Sequence, residues 1–348
     1  MMKKIGIVGG GLAGVSIAWG LAQKADLVLF DAGEAGASEL PAGMVNPFMG
    51  RLARPIWRME AIWDAFHAFL HRTGTASLFK PSGLLRPVQY PRQKEYFQHM
   101  VARFSHRLSW WSAEEVAERF PTVVAPDGAL WVKDAGILPM RTWVHAMRSL
   151  IRKTGHEVYE RMRIVDWQET NTGVRVQAAT GEIFQVSHLI VAPGAGFVHL
   201  PALRKLKLHR IKGQMVEIVP PEGTIPPLGG SGYVLPLDGQ TFLGSSYEHT
   251  FTDLRPSPDK AREILEKIAR MWPDVHTAAI RATYVGVRVT VPGTRLPMVG
   301  PLPGHRRVWI ATGLGTRGIL MSLWLGTHLY DWLQAGRPPY AELHPRET

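Results

Sequence analysis

The chain has 348 residues, of which 45% are hydrophobic and 20% are charged, the balance of a water-soluble globular protein with room for two structural lobes. Cysteine is absent, which excludes disulfides, thiolate nucleophiles, cysteine-bound metals and any cofactor attached through sulfur. The formal net charge is +11, so a polyanionic partner remains open.

Two features of the sequence bear on location. Only Met1 to Lys4 precede the first apolar run, so the sequence predicts no signal peptide. The longest late apolar run, Ile319 to Tyr330, is too short to span a bilayer and contains His328. We therefore expect a cytoplasmic protein without a membrane span.

The pattern of residues 4–31 predicts a strand, a glycine turn, a helix and a second strand that ends in an acid. Gly9 permits a tight turn, Gly11 lets the backbone approach a pyrophosphate, and Gly14 lets the helix pack closely on the strand. The helix N-terminus offers free N–H groups and partial positive charge to phosphates. Asp31, twenty residues after Gly11, is placed to accept hydrogen bonds from an adenosine ribose, which favours FAD or NAD over NADP. An ordinary glycine-rich turn is the alternative, but the strand, the helix and the acid together favour a dinucleotide site.

The rest of the N-terminal half alternates between helices and strands. A loop of small residues, 32–38, leaves backbone N–H groups accessible to a ligand. A helix over Pro55 to Thr73 carries aromatic residues on one side, which we expect in the core. Ser112 and Glu115 have the spacing of a capping box. The other predicted elements are strands at Ser82 to Val88 and Ala129 to Val132, and helices at Arg92 to Phe104, Ser112 to Phe120 and Pro139 to Lys153.

Strands dominate the C-terminal half. A small antiparallel meander is predicted first, and a buried strand that ends in the small residues 192–196 follows it. A second glycine-rich turn, 312–318, opens a final helix, so two helix N-termini could serve one ligand. The meander strands are Val158 to Trp167, Val174 to Ala178 and Ile183 to Gln185; the later elements are strands at Gln214 to Val219, Gly232 to Leu235, Thr241 to Ser246, Ile280 to Thr290 and Val308 to Ala311, and helices at Pro258 to Trp272 and Ile319 to Gln334.

The densest basic segment is Leu203 to Lys212. Such a segment can bind a polyanion, but it is more often a solvated surface strand and loop, which is the interpretation we favour.

In this order the motifs resemble those of the D-amino-acid oxidase and glycine oxidase superfamily of FAD-dependent amine oxidases, over nearly the whole chain. The order and spacing carry the resemblance, rather than any one motif. The resemblance implies an α/β fold with a doubly wound, Rossmann-type FAD-binding lobe at 1–48, 136–212 and 296–348. A mixed antiparallel β-sheet substrate lobe would occupy 49–135 and 213–295. Beside the glycine fingerprint, the motifs are Gly36-Ala37-Ser38, Ala42-Gly43-Met44, Asp134-Ala135-Gly136-Ile137-Leu138-Pro139, Leu189 to Gly196, Lys212-Gly213-Gln214, Tyr233-Val234-Leu235-Pro236, Leu243-Gly244-Ser245-Ser246, Val285-Gly286-Val287-Arg288 and Gly313 to Gly318.

The resemblance also implies where FAD would bind. Asp31 would hold the adenosine ribose, Ser38 a phosphate, and Ala42 to Met44 the flavin ring. The turn Gly315 to Gly318 would direct N–H groups at the part of the ring that becomes negative on reduction. No histidine stands between Ser38 and Phe48, so we expect non-covalent FAD. The expected cofactor contacts are Gly9, Gly11, Leu12, Ala13, Gly14, Asp31, Ala32, Ser38, Ala42, Gly43, Met44, Ile164, Ala192, Gly194, Gly313, Gly315, Thr316, Arg317, Gly318 and Ile319.

Three residues are implied to act on the substrate. Arg288 matches the arginine that holds the substrate carboxylate in this family, and Tyr233 matches a tyrosine that supports the same group. Arg317 stands where the glycine oxidase branch also has an arginine and is a candidate second anion contact. Val289 follows Arg288 where the family commonly has proline, so we expect a local backbone difference. Structural roles are the alternative for each. Weaker candidates for the pocket lining are Met44, Tyr247 and His249.

The expected activity is oxidation of a small amino acid or N-substituted glycine by hydride transfer to flavin N5, giving an imine that water hydrolyses. One alternative is the removal of a carboxymethyl group from a modified wobble uridine of tRNA, chemically also an N-substituted glycine. The basic charge favours it; that activity is often fused to a methyltransferase domain, which these residues lack. Another is a 2-hydroxy acid as donor, held by the same arginine. The histidines are scattered along the chain and no H-x-E pair occurs, so we expect no metal site.

Overall fold

The computed structural model describes residues 4–34, 36–221 and 223–346. Strands and helices alternate through the N-terminal half. Their bounds are β1 Ile5–Val8, α1 Leu12–Leu21, β2 Leu27–Asp31, β3 Gly43–Val45, β4 Phe48–Met49, β5 Arg54–Pro55, α2 Met59–Arg72, β6 Leu84–Pro87, α3 Gln93–Arg103, β7 Leu108–Trp111, α4 Ala113–Arg119, β8 Ala129–Val132, β9 Gly136–Leu138 and α5 Met140–Lys153.

Strands predominate in the C-terminal half. Their bounds are β10 Glu157–Glu160, β11 Ile164–Glu169, β12 Val174–Ala178, β13 Ile183–Val186, β14 His188–Val191, β15 His209–Ile218, β16 Leu228–Gly229, β17 Tyr233–Leu237, β18 Gln240–Gly244, β19 Ile280–Thr290, β20 Met298–Pro301 and β21 Val308–Thr312, with helices α6 Pro258–Ala269 and α7 Gly318–Ala335.

The first of two large sheets has six strands, in the order β10-β2-β1-β14-β21-β20. Its first five strands are parallel, and β20 pairs antiparallel with β21. The central strands are apolar on both faces, as a sheet covered on both sides requires. Helices α1, α5 and α7 pack on one face, and the antiparallel sheet β11-β12-β13 covers the other. The predicted α/β fold with a parallel, Rossmann-type sheet is therefore confirmed, although a three-stranded sheet and not a second layer of helices covers one of its faces.

Two glycines bring α1 and α7 into backbone contact. A Cβ atom at Gly20 would lie 1.7 Å from the Gly326 carbonyl oxygen, and one at Gly326 would lie 2.4 Å from the Ser16 carbonyl oxygen. Real Cβ atoms do not approach backbone so closely, so only glycine permits this crossing.

The second large sheet has eight strands and is mostly antiparallel. Their order is β19-β15-β18-β17-β16-β6-β8-β7. Its one parallel pair is β16 with β6. Helix α6 packs on one face through Ala261, Ile264 and Ile268. On the other face, Met215 and Leu235 pack in one cluster with Ala42 and Ile137, which lie just before β3 and in β9. The mixed antiparallel sheet was predicted, whereas the assignment of chain segments to two lobes stays a prediction.

The main correction concerns Val158 to Trp167, which was predicted as one strand of the meander. The structure divides it into β10, which pairs parallel with β2, and β11, which begins the three-stranded sheet. Between them Arg161 has φ +61°, and the Met162 N–H donates to the Asp31 carbonyl at 2.7 Å, so the chain turns away from the first sheet.

Other differences are smaller. The helix predicted from Pro55 begins at Met59, because Pro55 lies in β5 and Arg58 has φ +48°. Sequence reasoning missed β7 and β20, which lie at sheet edges. The predicted capping box is present, with Ser112 Oγ accepting from the Glu115 N–H and the Glu115 carboxylate accepting from the Ser112 N–H.

Within the described residues no helix is both long enough and apolar enough to cross a bilayer.

Candidate functional site

A cavity of about 1350 Å³ lies where the six-stranded and eight-stranded sheets face each other. Sites for ordinary small ligands have volumes of roughly 300 to 1000 Å³. The cavity begins at the glycine turn after β1 and continues past the small residues after β14 to the turn before α7. Its other wall comes from β15, β17 and β19. It is therefore large enough for a dinucleotide with a substrate beside it.

All but one of the residues predicted to contact the cofactor line this cavity. The exception is Gly14, which lies beneath the glycine turn, where its Cβ would stand 1.7 Å from the Gly9 carbonyl oxygen. Gly14 thus allows close packing, as expected, without facing the cavity. The lining residues are Gly9, Gly11, Leu12, Ala13, Asp31, Ala32, Ser38, Ala42, Gly43, Met44, Ile164, Ala192, Gly194, Gly313, Gly315, Thr316, Arg317, Gly318 and Ile319.

The glycine turn has side-chain partners that the sequence did not indicate. The Leu12 N–H donates to the Ser38 hydroxyl at 3.0 Å, and the Gly10 N–H approaches the Asp31 carboxylate at 3.4 Å. The expectation of entirely free N–H groups at this helix end is therefore wrong. Because the Ser38 hydroxyl accepts the Leu12 bond, its own O–H proton remains available to donate to a ligand.

Arg148 links three parts of this end of the cavity, and sequence reasoning missed it. Its guanidinium donates to the Gly10 carbonyl at 3.0 and 2.8 Å, and forms ion pairs with Asp31 at 2.9 Å and Glu39 at 3.2 Å. Arg148 is buried and lies on the face of α5 that is otherwise apolar, among residues such as Met147. The sequence did contain a signal for Arg148, because a charged residue on an otherwise apolar helix face is almost never buried unless it has a partner.

We expect Arg148→Lys to raise the dissociation constant for FAD about tenfold. Lysine keeps the charge but cannot reproduce the two-pronged contact, and a hydrogen bond to a charged group contributes about 1.5–3 kcal/mol. Quenching of flavin fluorescence on addition of apoprotein measures this constant. Arg152→Lys is the matched control, because Arg152 lies one turn later, half-exposed, and pairs with Glu160. Equal affinities for the two variants would contradict the prediction.

The opposite end of the cavity is formed by the turn before α7. A bridge between Thr290 and Leu314 ties this turn to the end of β19. The Arg317 side chain donates to the Arg295 carbonyl at 3.1 Å, and burial, with Arg295 nearby, lowers the pKa of the Arg317 guanidinium. The hydroxyl of Thr312 is buried here without a hydrogen-bond partner within the described part of the chain. An unpaired polar atom at a cavity wall indicates a ligand contact.

Arg288 reaches the cavity from β19, next to β15. Gly213 of β15 leaves room for it, since a Cβ there would lie 2.9 Å from Arg288 Nη2. The guanidinium donates to the Ser245 hydroxyl at 3.3 Å, and its central carbon lies 4.6 Å from the centre of the Tyr247 ring. No described carboxylate lies within 4.0 Å of Arg288, so a surface ion pair does not explain it. The strand continues regularly through Val289, which pairs with Arg210 of β15.

Tyr233 lies on β17, opposite Gly244 of β18. A Cβ on Gly244 would stand 2.2 Å from the Tyr233 ring, so this glycine makes space for the tyrosine. Burial raises the pKa of the Tyr233 hydroxyl to about 12, although the nearby Arg288 charge acts in the opposite direction. Tyr233 therefore remains a neutral hydrogen-bond donor throughout the neutral range.

We expect Tyr233→Phe to lower kcat/KM for a carboxylate-bearing amine by about 10- to 100-fold, since a hydrogen bond to a charged group contributes about 1.5–3 kcal/mol. A raised pKa keeps the proton on the hydroxyl until the pH approaches 12. The ratio of wild-type to Tyr233→Phe kcat/KM should thus stay constant from pH 7 to 10, as steady-state kinetics can measure. A ratio that falls with an apparent pKa below 10 would contradict the prediction.

Two of the three weaker candidates for the pocket lining do line the cavity. Met44 and Tyr247 line the cavity, whereas His249 does not and stacks on His209, with ring nitrogens 3.0 Å apart.

Sequence reasoning missed Arg86, a buried lining residue that donates to the carbonyls of Phe48 and Gly50 at 3.0 and 2.5 Å. Burial lowers the pKa of Arg86 to about 10. It also missed the lining arginines Arg51, Arg163, Arg270 and Arg295. The basic segment Leu203 to Lys212 was favoured as a solvated surface segment, but its Arg210 lines the cavity and its Lys212 is buried.

Comparison with known families gives one match over most of the chain. The family model for FAD-dependent oxidoreductases, named DAO, matches residues 4–332. Among curated proteins, the tRNA 5-methylaminomethyl-2-thiouridine biosynthesis bifunctional protein MnmC of Burkholderia mallei is 30% identical over 325 residues. That match covers 85% of this chain and 48% of the relative, so the chain spans about half the length of the curated relatives it matches.

Solved structures resemble the fold closely. Glycine oxidase from Geobacillus kaustophilus has a TM-score of 0.86 at 20% identity, covering 99% of both chains. Iminodiacetate oxidase from Chelativorans sp. BNC1 has a TM-score of 0.85 at 20% identity, covering 98% of both. L-proline dehydrogenase from P. horikoshii has a TM-score of 0.83 at 18% identity, covering 98% of this chain and 95% of that one.

Proposed function

The chain belongs to the DAO family of FAD-dependent oxidoreductases, and we propose that it oxidises the amine of a small amino acid or N-substituted glycine. The observation that carries this proposal is the convergence of Arg288 and Tyr233 on one wall of the cavity. A fixed cation beside a neutral hydroxyl donor suits a carboxylate. Two of the structural relatives are named as oxidases of glycine and of iminodiacetate, which is N-carboxymethylglycine.

FAD fits the lining of this cavity. At one end the Ser38 O–H and the Asp31 carboxylate would contact phosphate and ribose; at the other, the unpaired Thr312 hydroxyl and the N–H groups of the turn before α7 would meet the flavin ring. Gly43 faces this region, and a Cβ there would lie 2.6 Å from side-chain atoms of Ile319 and Met140, so the wall is closely packed. We propose that FAD is bound non-covalently, because the sequence lacks cysteine and 38–48 contains no histidine.

Bound FAD would accept a hydride from the carbon next to the substrate nitrogen, and water would then hydrolyse the imine. The chain itself orients the substrate for this step. The Arg288 guanidinium binds the carboxylate, and the Tyr233 O–H donates to the same group without losing its proton. Holding the carboxylate at two points binds the substrate and limits the directions that its C–H bond can take.

An anaerobic titration followed by visible absorption tests the proposal. Purified protein with FAD is mixed with glycine, sarcosine, iminodiacetate, proline, D- and L-amino acids and, as a 2-hydroxy acid, lactate. Bleaching of the flavin bands by at least one amine, with no bleaching by lactate, supports the proposal. Bleaching by lactate alone would show that the donor is a hydroxy acid, and no bleaching by any small amine would overturn the small-molecule assignment.

A second candidate places the same N-substituted glycine group on tRNA. The observation that favours it is the curated relative at 30% identity, whose name assigns it to tRNA modification. The net charge of +11 agrees with an RNA partner. The chemistry at Arg288 would be unchanged, because a carboxymethyl amine presents the same carboxylate whether it is free or attached to a nucleoside.

A further inference from the structure

We propose that the opening of the cavity contains a binding site for single-stranded RNA nucleotides, formed by three arginine–aromatic pairs. The proposal rests on the second candidate function. The pairs are Arg288 with Tyr247, Arg210 with Phe251, and Arg51 with Tyr90, and all six residues line the cavity.

Each pair places a guanidinium against an aromatic ring. The central guanidinium carbon lies 4.6 Å from the Tyr247 ring centre for Arg288, 5.0 Å from that of Phe251 for Arg210, and 4.8 Å from that of Tyr90 for Arg51. These distances are those of cation–π contacts. Tyr247 as a whole residue is nevertheless 54% exposed, a large fraction for an aromatic residue at a cavity wall.

The arginines of the outer pairs lack anionic partners. Within the described residues, no carboxylate lies within 4.0 Å of Arg51 or Arg210, whereas the lining residues Arg163 and Arg148 each pair with a glutamate. Counting all described lining residues, ten lysines and arginines face four aspartates and glutamates. Such an excess of positive charge in a cleft attracts a polyanion.

The segment that carries Tyr247 and Phe251 is held in place by a buried lysine. Lys212 of β15 lies 3.7 Å from the Glu248 carboxylate and 3.8 Å from that of Asp253. The backbones of Lys212 and Glu248 also exchange hydrogen bonds of 3.0 and 2.9 Å. The rings are therefore presented by a fixed loop, as a stacking surface requires.

Charge and aromatic rings together favour RNA over other polyanions. Arginine binds phosphate, and exposed rings stack on the bases of unpaired nucleotides. An acidic peptide or an anionic lipid would use the arginines but not the rings. A nucleotide bound at the opening would place a modified base, with its carboxymethyl amine, toward Arg288 and Tyr233.

Binding of a fluorescently labelled tRNA transcript by the FAD-loaded protein tests the inference, with heparin as a polyanion that has no bases. We expect Arg51→Ala and Arg210→Ala each to weaken tRNA binding about 5- to 10-fold and to reduce the salt slope by about 1. Phe251→Leu should weaken tRNA binding about 5- to 10-fold and leave heparin binding unchanged, because only bases stack. Matched controls are Arg175→Ala, an exposed arginine on β12, and Tyr96→Leu, a 42% exposed tyrosine on α3.

Three outcomes would overturn the inference: no tRNA binding at low salt, equal losses in the test and control variants, or equal effects of Phe251→Leu on tRNA and heparin. The measurement needs no turnover. If tRNA does not bind while a small amine bleaches the flavin, the inference fails and the small-molecule proposal survives. If tRNA binds as expected but no small amine bleaches the flavin, the small-molecule proposal fails and the inference survives.

Discussion

Arg288→Ala is expected to lower kcat/KM for the amine that reduces the flavin by about 10²- to 10³-fold, because losing one partner of a desolvated charge pair costs about 3–4 kcal/mol. The loss should be mainly in KM, since the carboxylate contact exists before and during the reaction. Arg288→Lys should recover only part of it, because an ammonium group cannot form two parallel bonds with a carboxylate. Anaerobic reduction kinetics at several substrate concentrations separate the two parameters.

The control for this prediction is Arg175→Ala, which removes the same charge from an exposed strand position outside the cavity. Its kinetics should match those of the wild type. Flavin absorption should be normal in both variants, because Arg288 lies on β19 and not in either of the glycine turns proposed to bind FAD. Unchanged kinetics for Arg288→Ala, or loss of FAD together with activity, would remove Arg288 from substrate binding.

Gly14→Ala is expected to destabilise the protein by about 3 kcal/mol, the upper part of the usual range for inserting atoms into a packed region, and to abolish FAD binding. The added Cβ would lie 1.7 Å from the Gly9 carbonyl oxygen, so the turn and α1 must separate. That movement displaces the backbone that faces the cavity. Denaturant unfolding of the apoprotein measures the first effect and flavin fluorescence the second.

Gly36→Ala is a suitable control because, its chain neighbours aside, no described atom lies within 4 Å of its expected Cβ, and its φ of −95° suits any residue. Its free energy of unfolding should equal that of the wild type or rise slightly, since alanine restricts the unfolded chain. If Gly14→Ala unfolds at the same denaturant concentration as Gly36→Ala, the close contact with Gly9 does not constrain the fold.

Three glycines in the motifs that resemble the family leave space for a neighbouring side chain or loop. Gly213 makes room for the Arg288 guanidinium and Gly244 for the Tyr233 ring. Gly286 lets β19 approach the loop after β2, where its Cβ would lie 3.0 Å from the Ala37 Cα. Each glycine lies on a strand beside the residue or loop it accommodates. The motifs therefore place the Arg288 and Tyr233 side chains as well as the backbone.

The sequence by itself determined the local elements of this protein. The glycine turn after β1, Asp31 at the end of β2, the capping box at Ser112 and the glycine turn before α7 were all predictable. Each depends on the conformational freedom or hydrogen-bonding capacity of residues close together in the chain. The two-sheet architecture followed from the order of these elements and from the family resemblance they carry.

The tertiary structure alone decided which distant residues meet. The contact of Arg148 with Asp31, the pairing of β10 with β2 and the meeting of Arg210 with Phe251 join residues 41 to 129 positions apart. Nothing in the local pattern of hydrophobic residues encodes these contacts, because they depend on strand register and on how loops close over the sheets. For the same physical reason, the cavity wall opposite the glycine turn became visible only when the two sheets were placed face to face.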